Sequence, residues 1–129
     1  METKSTRHSV YNINYHFVWI PKYRRKILTG VIKADLESLL NGYATKNDVE
    51  VLSLSIQPSH IHLFVSAPPR FSPAQLVNLF KGSTARELRK RHPILQKSPH
   101  LWTRSDYVGT AGTVSESTIQ RYILECQSE

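Results

Sequence analysis

The stretch Gln57-Pro58-Ser59-His60-Ile61-His62-Leu63-Phe64-Val65 decides how the chain is read. Its Pro-Ser pair is turn chemistry, because proline presets φ and a serine hydroxyl bonds nearby backbone. Val51 to Ile56 alternates before the turn and His60 to Val65 alternates after it, so the two segments read as a hairpin. Successive side chains of a strand point to opposite faces. Ile61, Leu63 and Val65 therefore share one face, and His60 and His62 share the other. The apolar face calls for helices to cover it. The histidine face is left free.

Working outward from the hairpin supplies those helices. Upstream, Ile32, Leu36, Leu39, Leu40 and Tyr43 recur at helical spacing. Before them comes a basic loop, Lys22, Arg24, Arg25 and Lys26, opened by Pro21. Before that, Tyr11, Ile13, Tyr15, Phe17 and Trp19 alternate with Asn12, Asn14, His16 and Val18, which predicts a strand from Tyr11 to Ile20. Downstream, Ser72-Pro73 is a cap followed by a first-turn proline. Leu76, Phe80 and Leu88 then line a second long helix, which Pro93 stops. A fourth strand is expected over Trp102 to Ala111. Ser115 caps a last helix with Ile119, Tyr122, Ile123 and Cys126 on one stripe. Strand, helix, strand, strand, helix, strand predicts an α+β fold, a ferredoxin-like sandwich with an antiparallel sheet and two helices on one face. A C-terminal helix carrying Tyr122 is added to it. Residues 1–129 read as a single domain, without repeats or a linker.

The balance of charge narrows the partners. Seventeen Lys+Arg against ten Asp+Glu give a net charge of +7. Such an excess favours polyanions, since each cation placed on a phosphate releases a condensed counterion. Cys126 is the single cysteine, so no internal disulfide forms and a reducing cytoplasm is the expected setting. No apolar run nears the roughly 20 residues that cross a membrane, and the first residues do not read as a signal peptide.

His60 and His62 place their α-carbons about 6.5–7 Å apart on one strand face, a spacing at which two imidazoles can share a divalent cation. A pair of surface histidines on a half-exposed strand fits the same pattern. Tyr122, on an apolar stripe, reads as packing when viewed alone. It gains interest because the free sheet face and a spare helix belong to one small domain. A phenol titrates at about 10, so it needs a metal-polarised phosphate and an adjacent base to act as a nucleophile at neutral pH.

Several spaced segments then agree in order: Asn14-Tyr15-His16-Phe17-Val18-Trp19, Pro21-Lys22-Tyr23-Arg24-Arg25, His60-Ile61-His62, Phe80-Lys81-Gly82-Ser83-Thr84-Ala85-Arg86, Leu101-Trp102 and Thr118-Ile119-Gln120-Arg121-Tyr122-Ile123. Together, over about Ser5 to Gln127, they resemble the single-tyrosine HUH transposases of the insertion sequence 200/605 family. The resemblance implies an obligate homodimer with composite active sites, binding single-stranded DNA with subterminal hairpins. It implies Tyr122 as nucleophile, a 5′-phosphotyrosine intermediate, and strand rejoining without a nucleotide cofactor. It implies Mg²⁺ or Mn²⁺ on His60 and His62, with a glutamine four residues after the tyrosine as third ligand. Cys126 occupies that position here and Gln127 follows one later. Because one helical residue turns about 100°, that offset moves the amide off the tyrosine's face and puts the third ligand in doubt. Ser59 also stands where an acidic residue is more usual.

Lys22, Arg24, Arg25 and Lys26 form one candidate DNA surface, and Lys81, Arg86, Arg89 and Lys90 form another along the second long helix. Gly82 beside Lys81 is where a strand could approach the backbone. Two other readings accompany the transposase: a non-catalytic single-stranded nucleic-acid-binding module (or an inactive element copy), and a phosphoesterase using activated water. The last lacks the additional carboxylates such sites use.

Overall fold

In the computed structural model, residues 4–5, 10–110 and 116–126 are described. Two short strands, β1 (Lys4–Ser5) and β2 (Val10–Tyr11), pair only with each other. The main sheet contains β3 (Asn14–Trp19), β4 (Glu50–Gln57), β5 (His60–Ser66) and β6 (Tyr107–Gly109) in the order β4-β5-β3-β6, antiparallel throughout. Helices α1 (Gly30–Lys46) and α2 (Pro73–Arg91) join its halves, and α3 (Glu116–Cys126) follows β6. This is the ferredoxin-like order that the pattern predicts, with the hairpin β4–β5 turning at Pro58 and Ser59.

One sheet face forms the main core. Tyr15, Phe17, Trp19, Ile61, Leu63 and Val65 pack there beneath Leu36, Leu40 and Ala44 of α1 and Leu76, Val77, Phe80 and Leu88 of α2. The start of α2 is locked by a capping box. Ser72 Oγ accepts from the Gln75 amide at 3.1 Å, and Gln75 Oε1 accepts from the Ser72 amide at 2.8 Å. Its far end is tied to α1 by His92 Nε2 against Asp35 Oδ2 at 2.7 Å. Phe80 is fully buried, its ring 6.5 Å from that of Phe17. Phe80→Ala is expected to cost about 3–5 kcal/mol of stability, read as a lowered urea midpoint with unchanged slope.

Two strand expectations are corrected. The first strand is not continuous from Tyr11 to Ile20: Tyr11 belongs to the small ribbon, and the sheet strand starts at Asn14. The fourth strand is three residues long rather than Trp102 to Ala111. Trp102 makes only an isolated bridge to Pro21. The chain is then drawn out of the ladder because the Lys81 ammonium gathers the carbonyls of Thr103, Arg104 and Ser105 and the carboxylate of Asp106 at 2.9–3.4 Å. Finally, β3 lies inside the sheet with partners on both sides, so it has no free edge on which to pair with a second copy of itself. β4 carries a bulge between Val51 and Ser53, an irregularity that disfavours pairing along an outer strand.

Candidate functional site

The strand register decides what lies on the second sheet face. Val18 stands opposite His62 and Tyr107, and His16 stands opposite Phe64 and Gly109. His16, Val18, His60, His62, Phe64 and Tyr107 therefore share this face, with Ser53, Ser55 and Gln57 of β4 beside them. The face is only partly open. Val18 and Ile20 are fully buried because α3 lays Tyr122 and Ile123 on them, with Tyr107 alongside. The Tyr122 hydroxyl donates to the Ser105 carbonyl at 2.8 Å. The structure thus brings the helix of Tyr122 onto the strand face of His60 and His62. Gln127 and Ser115 lie outside the described residues, and the side chains of Ile119 and Cys126 are likewise not described.

Sequence reading passed over His16. Its Nδ1 is 2.9 Å from His62 Nε2, its ring stacks on Phe64 at 3.9 Å and 8°, and it is 4% exposed. The signal was present in its strand parity, which places it with the His60 and His62 face once the register is known. Burial pushes the pKa of His16 below the ordinary imidazole value, with the neighbouring His62 adding to the shift. Burial does the same at His60, reinforced by Arg24 and His62, and alone at His62. All three rings are therefore neutral at pH 7, the form in which an imidazole nitrogen can donate a lone pair to a cation. In that respect the pair His60 and His62 fits a divalent metal. Among the described residues no group of three His, Cys, Asp or Glu side chains is arranged to hold one, so these two histidines would hold it with ligands from elsewhere.

The same shifts set a pH dependence. The folded pKa values lie below the ordinary 6.5, so below that pH the unfolded chain binds protons that the folded one does not. Stability of the metal-free protein is fully present above pH 6.5 and declines as the pH falls below it. Calorimetric melting at pH 7.5 and 5.5 is expected to show the lower midpoint at 5.5, with the difference reduced in His16→Phe.

The basic residues divide into two kinds. Lys26, Arg86 and Lys90 are exposed. Lys81, expected at a phosphate, bonds the 103–106 segment, its side chain only 12% exposed. Arg25 Nε donates to the Lys22 carbonyl at 3.2 Å, and an Arg89 amino group donates to the Ser98 carbonyl at 3.1 Å. Between α2 and residues 99–104 lies an open cleft of about 680 Å³, bordered by Lys22, Lys81, Arg89, His100, Trp102 and Arg104. His100 and Arg104 were not singled out in the sequence. Gly82 lines the cleft as well, and a Cβ there would meet no protein atom within 4 Å. Directly after Lys22 in the chain, Tyr23 and Arg24 both take left-handed backbone angles, φ 62° and 52°, and Tyr23 is 61% exposed.

Known proteins are similar to this chain in sequence and in fold. The ISDra2 transposase TnpA of Deinococcus radiodurans is 32% identical over 126 residues, covering 95% of this chain and 90% of that protein. The transposase of insertion sequence element IS200 from Salmonella typhimurium is 30% identical over 125 residues, covering 95% and 82%. A crystal structure of a putative transposase from Deinococcus radiodurans R1 superposes with a TM-score of 0.88 at 32% identity, covering 98% of this chain and 99% of that one. A REP-associated tyrosine transposase bound to a REP hairpin shares the fold, with a TM-score of 0.54 at 14% identity over 95% of this chain and 67% of that one. Among the described residues no helix is long and apolar enough to cross a membrane. Residues 9–126 match the family of IS200-like transposases, and the chain belongs to that family of DNA transposases.

Proposed function

We propose that the protein cleaves and rejoins single-stranded DNA at hairpin-containing element ends, with Tyr122 as nucleophile and His60 and His62 as ligands of Mg²⁺ or Mn²⁺. The observation that carries the reading is the packing of Tyr122 against Val18, the strand residue opposite His62. A cation held by the two histidines would polarise the scissile phosphate and offset the charge that builds on its oxygens. Imidazole ligands suit Mn²⁺ better than the oxygen-preferring Mg²⁺, so Mn²⁺ supports activity at least as well.

The Tyr122 oxygen leaves its hydrogen bond to Ser105, loses its proton to solvent and attacks phosphorus. A tyrosine–phosphate bond forms, the bond to the 3′ oxygen breaks, and that oxygen leaves as a protonated 3′-hydroxyl. A 3′-hydroxyl of another strand reverses the exchange. One phosphodiester-type bond is traded for another at each step, so no nucleotide is consumed. Exposed Lys26, Arg86 and Lys90, with Lys22 and Arg89 of the cleft and Arg24 and Arg25 close to Lys22 in the chain, would position the DNA backbone. The working form is a homodimer acting in the cytoplasm; its composite sites would require α3 to leave its own Val18 and carry Tyr122 to the histidines of the other copy. Its test is to mix a His62→Ala protein with a Tyr122→Phe protein: a composite site restores cleavage from two inactive partners, and a site built within one chain does not.

The experiment for the chemistry is a denaturing gel of purified protein, Mn²⁺ and single-stranded oligonucleotides carrying the hairpins that flank its own gene. A covalent band supports the reading. Retarded DNA on a native gel without one supports the binding module or an inactive copy, and cleavage without an adduct supports activated water.

A further inference from the structure

The contact between His16 and His62 constrains the site more tightly than shared residence on a sheet face. A nitrogen–nitrogen distance of 2.9 Å between two imidazole rings is a hydrogen bond, which takes one N–H and one lone pair. If His16 Nδ1 donated, the lone pair of His62 Nε2 would be consumed and its Nδ1 would carry the proton. His62 would then have nothing to offer a cation. If His62 Nε2–H donates to His16 Nδ1, the lone pair of His62 Nδ1 is free and directed. Metal-binding histidines as a rule donate their second ring N–H to a fixed acceptor, which sets tautomer and ring orientation.

We infer that His16 is a positioning residue: it accepts from His62 Nε2 and holds the ring so that Nδ1 faces the cation. This rests on the metal reading proposed above. His16 is suited to the task because its own ring is fixed. It is 4% exposed, lies flat on the ring of its cross-strand partner Phe64, and sits on β3, a strand held on both sides.

The test is Mn²⁺ titration of the metal-free, full-length protein by calorimetry or electron paramagnetic resonance. Two variants separate shape from hydrogen bonding. His16→Phe keeps a ring to stack on Phe64 but offers no acceptor. His16→Asn loses the ring but places an oxygen where Nδ1 stood. Wild type is expected to bind Mn²⁺, His16→Phe about 10–100-fold more weakly, and His16→Asn close to wild type. Nitrogen-15 spectra of wild type, read with diamagnetic Mg²⁺, are expected to assign Nδ1 of His62 to the cation and the proton to Nε2. Those spectra decide the matter even if a variant fails to fold. Equal Mn²⁺ affinity in His16→Phe, equal weakness of His16→Asn and His16→Phe, or His62 coordinating through Nε2 each overturns the inference. Absence of Mn²⁺ binding by wild type overturns the metal reading itself, which is a different failure.

Discussion

Tyr122→Phe is expected to remove the covalent protein–DNA band altogether and to lower cleavage on the order of a thousand-fold or more, while leaving the fold and DNA affinity nearly intact. The substitution deletes one oxygen. The aromatic ring that rests on Val18, Ile20, Ile123 and Tyr107 stays in place, so the packing of α3 is preserved. What is lost structurally is the bond to the Ser105 carbonyl, about 1 kcal/mol. A thermal midpoint within a few degrees of wild type and an unchanged native-gel shift would show that only chemistry was removed. A persistent adduct in Tyr122→Phe would move the nucleophile to another residue.

Replacing His62 by Ala is expected to have an effect of similar size through a different route. His62→Ala removes one of two imidazole donors and the partner of His16 together, so the variant is expected to be inactive at millimolar Mn²⁺. His60→Ala removes the other donor without touching that hydrogen bond, so part of its loss is expected to be recovered at high Mn²⁺. Chelation of wild type with EDTA is expected to abolish cleavage reversibly. Full cleavage in EDTA would remove the cation from the reaction.

The hairpin was legible because two local signals agree there, a two-residue period on either side and a Pro-Ser turn between. α2 was legible for the same kind of reason: Ser72 and Pro73 state its beginning within two residues. What eluded the sequence was set by distant partners. The last sheet strand was overestimated because Lys81, more than twenty residues away, pulls residues 103–106 aside. The bonds that Lys81 makes to that segment were likewise hidden, since a charge pattern cannot show which cation already has partners within the fold. His16 read as one polar residue in an alternation. Its role appears only when β3 and β5 are set in antiparallel register, which local pattern does not specify. Val18 and Ile20 on the same parity were the available hint that a helix covers part of that face.

The sheet order has a consequence for how the molecule is assembled in time. β4 and β5 are joined by two residues, so the strand of His60 and His62 can form by fast local closure. β3 and β6, by contrast, bring His16 beside Gly109, a pairing across most of the chain. Long-range closures of this kind slow folding, because the entropy of joining distant segments is spent before contacts return it. The histidine strand is therefore expected to acquire hydrogen-exchange protection early in refolding. Tyr122, which packs on Tyr107 of β6 and bonds Ser105 before it, is expected to come to its place last, so on the proposed chemistry a partly folded chain would hold the histidines without a positioned nucleophile.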